Sequence, residues 1–121
     1  MPDIQSIERI ISIEFSDIVE GTEIVHNKLR IFLKENSFVD IWFSEKIKGR
    51  YAYHWDRRNI DDKFYRYDNI PHKKWRSIKT YPHHFHNGSS RKEDTKESDI
   101  SNDIAGVRRF FSFIKKKIEI D

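Results

Sequence analysis

The chain has 121 residues, of which 36% are hydrophobic, 36% are charged and 14% are aromatic. This length is typical of a single domain, which we expect to span residues 1–121, and the aromatic content is too high for a chain that is disordered throughout. The absence of cysteine excludes disulfides and thiolate metal sites, and the formal net charge of +3 is compatible with a nucleic-acid partner.

The sequence contains no segment suited to a membrane or to secretion. Crossing a bilayer needs about 18 or more apolar residues in succession, and no such run occurs. The N-terminal segment, MPDIQSIERI, lacks the basic region followed by a continuous apolar stretch that a secretion signal has. We therefore expect a cytoplasmic protein with no membrane partner.

The first predicted elements are a helix and a strand. Ile4, Ile7 and Ile11 recur at helical spacing, which predicts a short helix over about residues 3–12. β-Branched residues surround a glycine in the segment 18–25, which predicts a strand with either a bulge or a tight approach near that glycine.

Further segments show the alternation of half-buried strands. Asn36 tolerates positive φ and marks a hairpin turn between the first two of them. In the third, Tyr51, Tyr53 and Trp55 face one side. The alternation predicts an antiparallel meander. The segments are 28–34, 38–44, 50–56 and 63–68.

The last part of the chain is predicted to end in a helix. Residues 69–88 show no sustained period, and the segment 89–98 is polar and charged enough for a mobile loop. Apolar residues between Ile104 and Ile118 hold the spacing of an amphipathic helix. The predicted fold class is therefore α+β, with a four- to five-stranded antiparallel meander sheet flanked by N- and C-terminal helices.

A histidine cluster is the strongest chemical signal. His83, His84 and His86 directly follow Pro82, and imidazoles can carry protons, contact phosphate or ligate a metal. In an extended segment His84 and His86 share one face, whereas His83 points to the other. A surface loop with capping histidines is the alternative without chemistry. A metal site would need further ligands, and the candidates are His54, His72, Asp56 and Asp68.

A second candidate surface lies on the predicted strand 50–56. Arg50 and His54 share the face opposite the aromatic residues, and Arg66 on the next strand could lie beside them. An arginine can hold phosphate oxygens and a histidine can move a proton, as metal-independent RNA cleavage requires. The aromatic face either packs against a helix or stacks on bases, and the second alternative makes Tyr53 an RNA contact.

Three blocks of sequence, RYAYHW, YRYDNIPH and YPHHFH, occur in an order that resembles the TumE family of prokaryotic toxins. Lys73 stands where a second histidine is often seen in that family, which weakens an extended metal site more than an acid–base site. The resemblance implies a small cytoplasmic toxin, neutralised by an antitoxin encoded beside it and suspected of acting on RNA. The matching residues are Arg50, Tyr51, Tyr53, His54, Trp55, Asp68, Asn69, Pro71, His72, Pro82, His83, His84 and His86.

The leading hypothesis is a toxin of a type II toxin–antitoxin pair that acts as an endoribonuclease. It requires no cofactor, because imidazoles supply the general acid and base. RNA and phosphate contacts are predicted for Arg50, Arg66 and Tyr53. The candidate catalytic residues are His54, His72, His83, His84 and His86.

Two alternatives stay open at this point. The first is a metal-dependent nuclease in which His84, His86 and Asp68 bind a divalent metal. The second is a non-catalytic module that binds a protein partner. The expected partners are the cognate antitoxin and RNA, and the sequence leaves open whether the chain forms a homo-oligomer.

Overall fold

The computed structural model describes residues 3–71, 80–89, 93–98 and 100–120. Within these ranges no helix is both long and apolar enough to cross a membrane. The elements in chain order are helix α1 (Ile4–Glu14), strands β1 (Val19–Val25), β2 (Lys28–Leu33), β3 (Phe38–Phe43) and β4 (Tyr51–Arg57), helix α2 (Arg58–Asp61), strands β5 (Lys63–Asp68), β6 (His84–Ser89) and β7 (Glu93–Glu97), and helix α3 (Ile104–Ile120).

The strands form one antiparallel sheet whose spatial order, β1 to β7, is the order of the chain. Short turns connect such neighbours. Asn36, at φ 74°, and Gly49, at φ 84°, adopt the left-handed conformation in two of these turns. The register of β1 shifts between Val19 and Gly21, which confirms the predicted bulge. The predicted meander is therefore confirmed.

Helices α1 and α3 cover one face of this sheet. Asp3 caps α1 by accepting a hydrogen bond from the backbone N–H of Ser6, and α1 packs against β1 and β2. Helix α3 packs against β4, and the two helices meet where the ring centroids of Phe15 and Phe111 lie 5.4 Å apart. The predicted terminal helices are both confirmed.

The aromatic residues of β4 form the centre of the core beneath α3. Tyr51, Tyr53 and Trp55 are fully buried, and the ring of Tyr53 stacks on Phe110 at 6.0 Å between centroids. The hydroxyl of Tyr53 donates to the carbonyl of Ser101 at 2.9 Å. Of the two readings of this face, packing against a helix is confirmed.

The predicted number of strands, four to five, is wrong, because the sheet has seven. Strand β6 falls in the segment for which the sequence shows no sustained period. The reason is that the two buried side chains on either side of Phe85, His84 and His86, are polar instead of aliphatic. Strand β7, Glu93–Glu97, falls in the predicted mobile loop. It lies at the edge of the sheet, where charged sequences are common and where pairing depends on the backbone.

The face of the sheet opposite α1 and α3 is called the polar face below. Its side chains alternate with the buried apolar residues of each strand. Among them are Lys28, Arg30, Asp40, Trp42, Ala52, His54, Asp56, Phe64, Arg66, Asp68, His84 and His86.

Candidate active site on the polar face

A cross-strand row of polar residues runs over the polar face. His54 on β4 lies opposite Arg66 on β5, and Arg66 lies opposite His86 on β6. Neighbouring strands are about 4.8 Å apart, so the two histidines stand about 10 Å apart with the arginine between them. The same row continues on the other side of His54 with Asp40 and Arg30.

Asp68, at the end of β5, joins two histidines and an arginine. Its Oδ1 lies 2.9 Å from Nε2 of His84, and its Oδ2 lies 3.2 Å from Nε2 of His86. Oδ2 also accepts a hydrogen bond of 2.9 Å from Nε of Arg66. Burial opposes ionisation of Asp68, but the hydrogen bonds from His86 and Arg66 outweigh it, so the pKa of this carboxyl is lowered. Asp68 is therefore an anion at neutral pH.

The two imidazoles are held at their other nitrogen. Nδ1 of His84 donates to the carbonyl of Pro82 at 2.7 Å, and Nδ1 of His86 lies 3.4 Å from the hydroxyl of Thr95. Both rings consequently present Nε2 to Asp68. Burial lowers the pKa of His84, and the nearby carboxylate of Asp68 only partly offsets this.

This cluster has the composition of a metal site. Asp68, His84 and His86 each offer one ligand atom, and these atoms lie within 4.8 Å of one another. Two imidazole nitrogens and one carboxylate suit zinc and other divalent transition metals. The contacts at Nδ1 of both histidines resemble the outer shell that orients metal-binding imidazoles. The set agrees with the alternative ligands named from the sequence, and its use as a metal site stays a prediction.

His54 forms a separate pair with a second carboxylate. Its Nε2 lies 3.3 Å from Oδ2 of Asp56, and Asp56 accepts hydrogen bonds from the backbone and the guanidinium of Arg58 at 3.0 and 2.6 Å. Burial opposes ionisation of Asp56, but the hydrogen bonds from Arg58 outweigh it and lower its pKa to about 2. An anionic Asp56 accepts from Nε2–H, which leaves Nδ1 of the neutral ring with the lone pair.

The environment of His54 favours the neutral ring. Burial lowers the pKa of His54, against the opposing effect of the hydrogen bond with Asp56. Its Nδ1 is buried and has no hydrogen-bond partner among the residues that the structure describes. The ring stacks on Phe64 at 5.4 Å between centroids and 25° between planes. A neutral imidazole anchored to a carboxylate through one nitrogen is the arrangement of a general base.

Next to this pair the polar face contains a cavity of about 270 Å³. His54 and Arg66 form one side of it, so the proposed base and the arginine border the same space. The other lining residues are Lys28, Asp40, Trp42 and Ala52.

The structure places His83, Tyr53 and Arg50 away from this row. His83 lies on the helix side of the sheet, where its Nδ1 is 3.3 Å from the hydroxyl of Tyr51, in agreement with the predicted alternation. Tyr53, predicted as an RNA contact, is fully buried beneath α3 and has no surface to offer. Arg50 precedes β4 and is half-buried near the end of that strand. His72 lies outside the described residues.

Several residues of the site were missed. Arg58 lies between the predicted strands 50–56 and 63–68, and Thr95 lies in the predicted mobile loop. Trp42 could have been found, because in the segment FVDIWF it shares the alternation of Asp40, opposite to the apolar residues that enter the core. The sequence predicts Asp56 and Asp68 only as candidate metal ligands, and not as hydrogen-bond partners of the histidines.

Comparison with protein-family models gives one match. The family described as Toxin TumE matches residues 5–118. Separate comparisons with curated proteins and with solved structures gave no significant match. The family match spans both terminal helices, the whole sheet and all the residues of the row. The chain therefore belongs to the TumE family of toxins.

Proposed function

We propose that this toxin belongs to a type II toxin–antitoxin pair and cleaves RNA by general acid–base catalysis at the row His54, Arg66 and His86. The observation that supports the proposal is the row itself, a guanidinium between two imidazoles that are each anchored to a carboxylate. Cleavage without a metal needs a base for the 2′-hydroxyl, an acid for the leaving oxygen and a cation for the phosphorane. This row contains one group for each task.

In the proposed reaction His54 is the general base. Its Nδ1 accepts the proton of the 2′-hydroxyl while the 2′-oxygen bonds to phosphorus. The bond from phosphorus to the 5′-oxygen breaks, and the imidazolium form of His86, whose Nε2–H stays on Asp68, gives that oxygen the proton of Nδ1 in place of its contact with Thr95. The products are a 2′,3′-cyclic phosphate and a 5′-hydroxyl. Asp56 stabilises the imidazolium that forms on His54, as a carboxylate does in related catalytic dyads.

Arg66 is the proposed phosphate ligand. It donates to Asp68 through Nε, and among the described residues this is its only hydrogen bond. The terminal nitrogens of the guanidinium thus remain for the phosphoryl oxygens, and about a third of the side chain (34%) is exposed. Arginine binds phosphate through such paired N–H groups. Arg50 would add positive charge at the end of β4.

The remaining histidines take supporting roles in this proposal. His84 shares Asp68 with His86, so it helps to position the acid. His83 contacts the core side of the sheet, and the role of His72 stays a prediction. As a member of a toxin family, the protein is proposed to have a cognate antitoxin encoded by a neighbouring gene.

The proposal is tested by incubating the purified protein with RNA, with and without EDTA. We expect cleavage in both conditions and cyclic phosphate termini. His54→Asn and His86→Asn are each expected to lower the rate by about 10²–10⁴-fold, the usual contribution of a general acid or base. His26→Asn, at an exposed histidine in the turn after β1, is the matched control. Intact RNA in both conditions would contradict the nuclease function.

A metal-dependent nuclease is the second candidate, favoured by the convergence of Asp68, His84 and His86. A divalent metal bound there would supply a Lewis acid beside Arg66. In this case cleavage is lost with EDTA and returns with zinc or manganese. Elemental analysis of the purified protein provides an independent readout, and Asp68→Ala is expected to remove the bound metal. Full cleavage by metal-free protein would eliminate this candidate.

A further inference from the structure

One side of the cavity beside the row is formed by Lys28, Trp42 and Ala52, which have no part in the proposed reaction. Trp42 on β3 lies opposite Ala52 on β4, and Ala52 lies opposite Asp68 on β5. Trp42 and Asp68 are two strand spacings apart, about 10 Å, and the residue between them has only a methyl group. The cavity is thus a slot with an indole as one wall.

The indole of Trp42 is available for stacking. Within the described part of the chain, the other tryptophan, Trp55, is fully buried and stacks on Tyr65 at 5.2 Å. No described aromatic ring stacks on Trp42, which lines the cavity instead. A volume of about 270 Å³ lies just below the range of about 300–1,000 Å³ for drug-sized ligands. It suits a single flat ring.

The charges around the slot favour an anion beside that ring. Lys28 lies opposite Trp42 on the outer side, and Arg66 closes the inner side. Asp40 also lines the cavity, but both of its oxygens accept hydrogen bonds from Arg30, at 2.8 and 2.9 Å. The carboxylate is therefore neutralised locally. Arg66 is paired in the same way with Asp68, so Lys28 is the lining cation without an ion pair among the described residues, and it determines the sign of the cavity.

We propose that this slot binds one nucleobase of the RNA next to the cleaved phosphate. The base stacks on Trp42 over Ala52, and the phosphates on its two sides contact Lys28 and Arg66. Aromatic stacking combined with phosphate contacts is the general mode of single-stranded nucleic-acid binding. The inference rests on the proposed function only in taking RNA as the polymer. It assigns Trp42 and Lys28 to substrate binding and not to the chemistry.

The test measures binding of an RNA analogue that cannot be cleaved. Full-length protein is titrated with an oligonucleotide of about eight nucleotides in which every 2′-hydroxyl is methylated. Trp42→Leu keeps an apolar side chain but removes the aromatic face, and should weaken binding about 5- to 150-fold, the range that base stacking gives. Trp42→Phe should retain most of the affinity. Phe32→Ala, an exposed aromatic on the same face outside the slot, should bind like the wild type.

A second set of analogues, each lacking the base at one position, tests which base is bound. Removing the stacked base should weaken binding to the wild type but have little effect on Trp42→Leu, because the wall of the slot is already missing. Lys28→Met should lower the slope of log affinity against log salt by about one. Circular dichroism of each variant confirms that the sheet is intact.

Equal affinities for wild type and Trp42→Leu would overturn the proposal. So would a Trp42→Leu variant that loses the antitoxin but binds the analogue normally, since the slot would then serve a protein partner. The analogue is not cleaved, so binding that depends on Trp42 stands even if the nuclease function fails. Conversely, if the protein cleaves RNA but its affinity for the analogue does not depend on Trp42, only the proposed slot is refuted.

Discussion

At the scale of single residues, the site consists of histidines that contact carboxylates through Nε2. Alternation along two strands predicted that His54 and Arg66 share a face, and they lie opposite each other. The same reasoning could not predict that Asp56 and Asp68 reach sideways to imidazoles. Residues two positions apart on a strand share a face, as His54 and Asp56 do. Which group the carboxylate contacts depends on side-chain rotamers and on burial.

Asp68 shows why a turn signal and a site signal can coincide. The sequence DNIP has the residue types of a turn, and Oδ1 of Asp68 does accept a hydrogen bond from the backbone N–H of Ile70 at 3.1 Å. The same carboxylate contacts His84, His86 and Arg66. Asn69 has only the structural role, since its amide bridges the backbones of Tyr51 and Gly49.

His54 gives a prediction for the dependence of stability on pH. Burial lowers its pKa in the folded state, whereas in the unfolded chain a histidine titrates near 6.5. Its contribution is therefore complete above about pH 6.5 and is lost as the pH falls, because the unfolded state binds the proton more readily. We expect the free energy of unfolding to decrease from about pH 6.5 towards pH 5, and less steeply in His54→Asn.

Urea unfolding at half-unit pH intervals measures this difference. The comparison uses the slopes of the two proteins and not their absolute stabilities, since the substitution also removes the contacts with Asp56 and Phe64. Identical slopes for wild type and His54→Asn would show that burial does not disfavour the charged ring.

At the scale of elements, the sequence predicts what apolar periodicity can reveal. Strands β2 to β5 and both terminal helices follow from alternating or helical spacing, and β1 follows from β-branched residues around Gly21. Strands β6 and β7 do not, because the buried residues of β6 include His84 and His86 instead of aliphatic residues, and β7 is an edge strand of charged residues. These strands complete the sheet beyond β5 and carry His84, His86 and Thr95. The strands least visible in the sequence thus hold one end of the proposed catalytic row.

Gly88 on β6 provides a test of how closely β5 and β6 are packed. A Cβ at this position would lie 2.6 Å from Cε1 of Phe64, its cross-strand partner. Phe64 stacks on His54, so Gly88→Ala should shift that ring and with it the imidazole. We expect a loss of about 1–3 kcal/mol in the free energy of unfolding, as overpacking typically causes, together with slower RNA cleavage.

Gly21→Ala is the matched control for this substitution. Gly21 also lies in a strand, and a Cβ there would meet no atom within 4 Å. Both substitutions reduce the freedom of the unfolded chain in the same way, so their difference isolates the contact with Phe64. Chemical denaturation of the two variants decides the matter, and equal stabilities would refute the close packing.

At the scale of the whole molecule, the core and the proposed catalytic row lie on opposite faces of one sheet. The helix side contains the aromatic core, including Tyr53 and Phe110. The polar side contains the row and the slot. This division explains why the prediction of Tyr53 as an RNA contact is wrong. Aromatic residues that alternate along a strand occur both in cores and on surfaces that stack with bases, and only the position of α3 distinguishes the two.

Because of this division, we expect that a substitution in the core can lower the stability without changing the arrangement of the site. Phe110 is fully buried and contacts Tyr53 and Tyr67, so Phe110→Ala should cost about 3–5 kcal/mol. That is a large share of the stability of about 5–15 kcal/mol that domains usually have. Phe32→Ala, at an aromatic that is 40% exposed, should cost much less. Thermal unfolding followed by circular dichroism measures both.

The activity of Phe110→Ala completes this comparison. Well below its melting temperature, the folded fraction should cleave RNA at the wild-type rate, because no residue of the row contacts Phe110. A variant that stays folded but is inactive would show that the two faces are coupled through the sheet.

The row His54, Arg66 and His86 takes one residue from each of three successive strands. A single residue inserted into or deleted from one of these strands would turn the later side chains of that strand to the opposite side of the sheet. Insertions in the connection between β4 and β5, which contains α2, leave the alignment intact, because connecting segments tolerate changes of length. Within a strand, the spacing of the site residues therefore acts like a reading frame, in which an insertion is more damaging than a replacement.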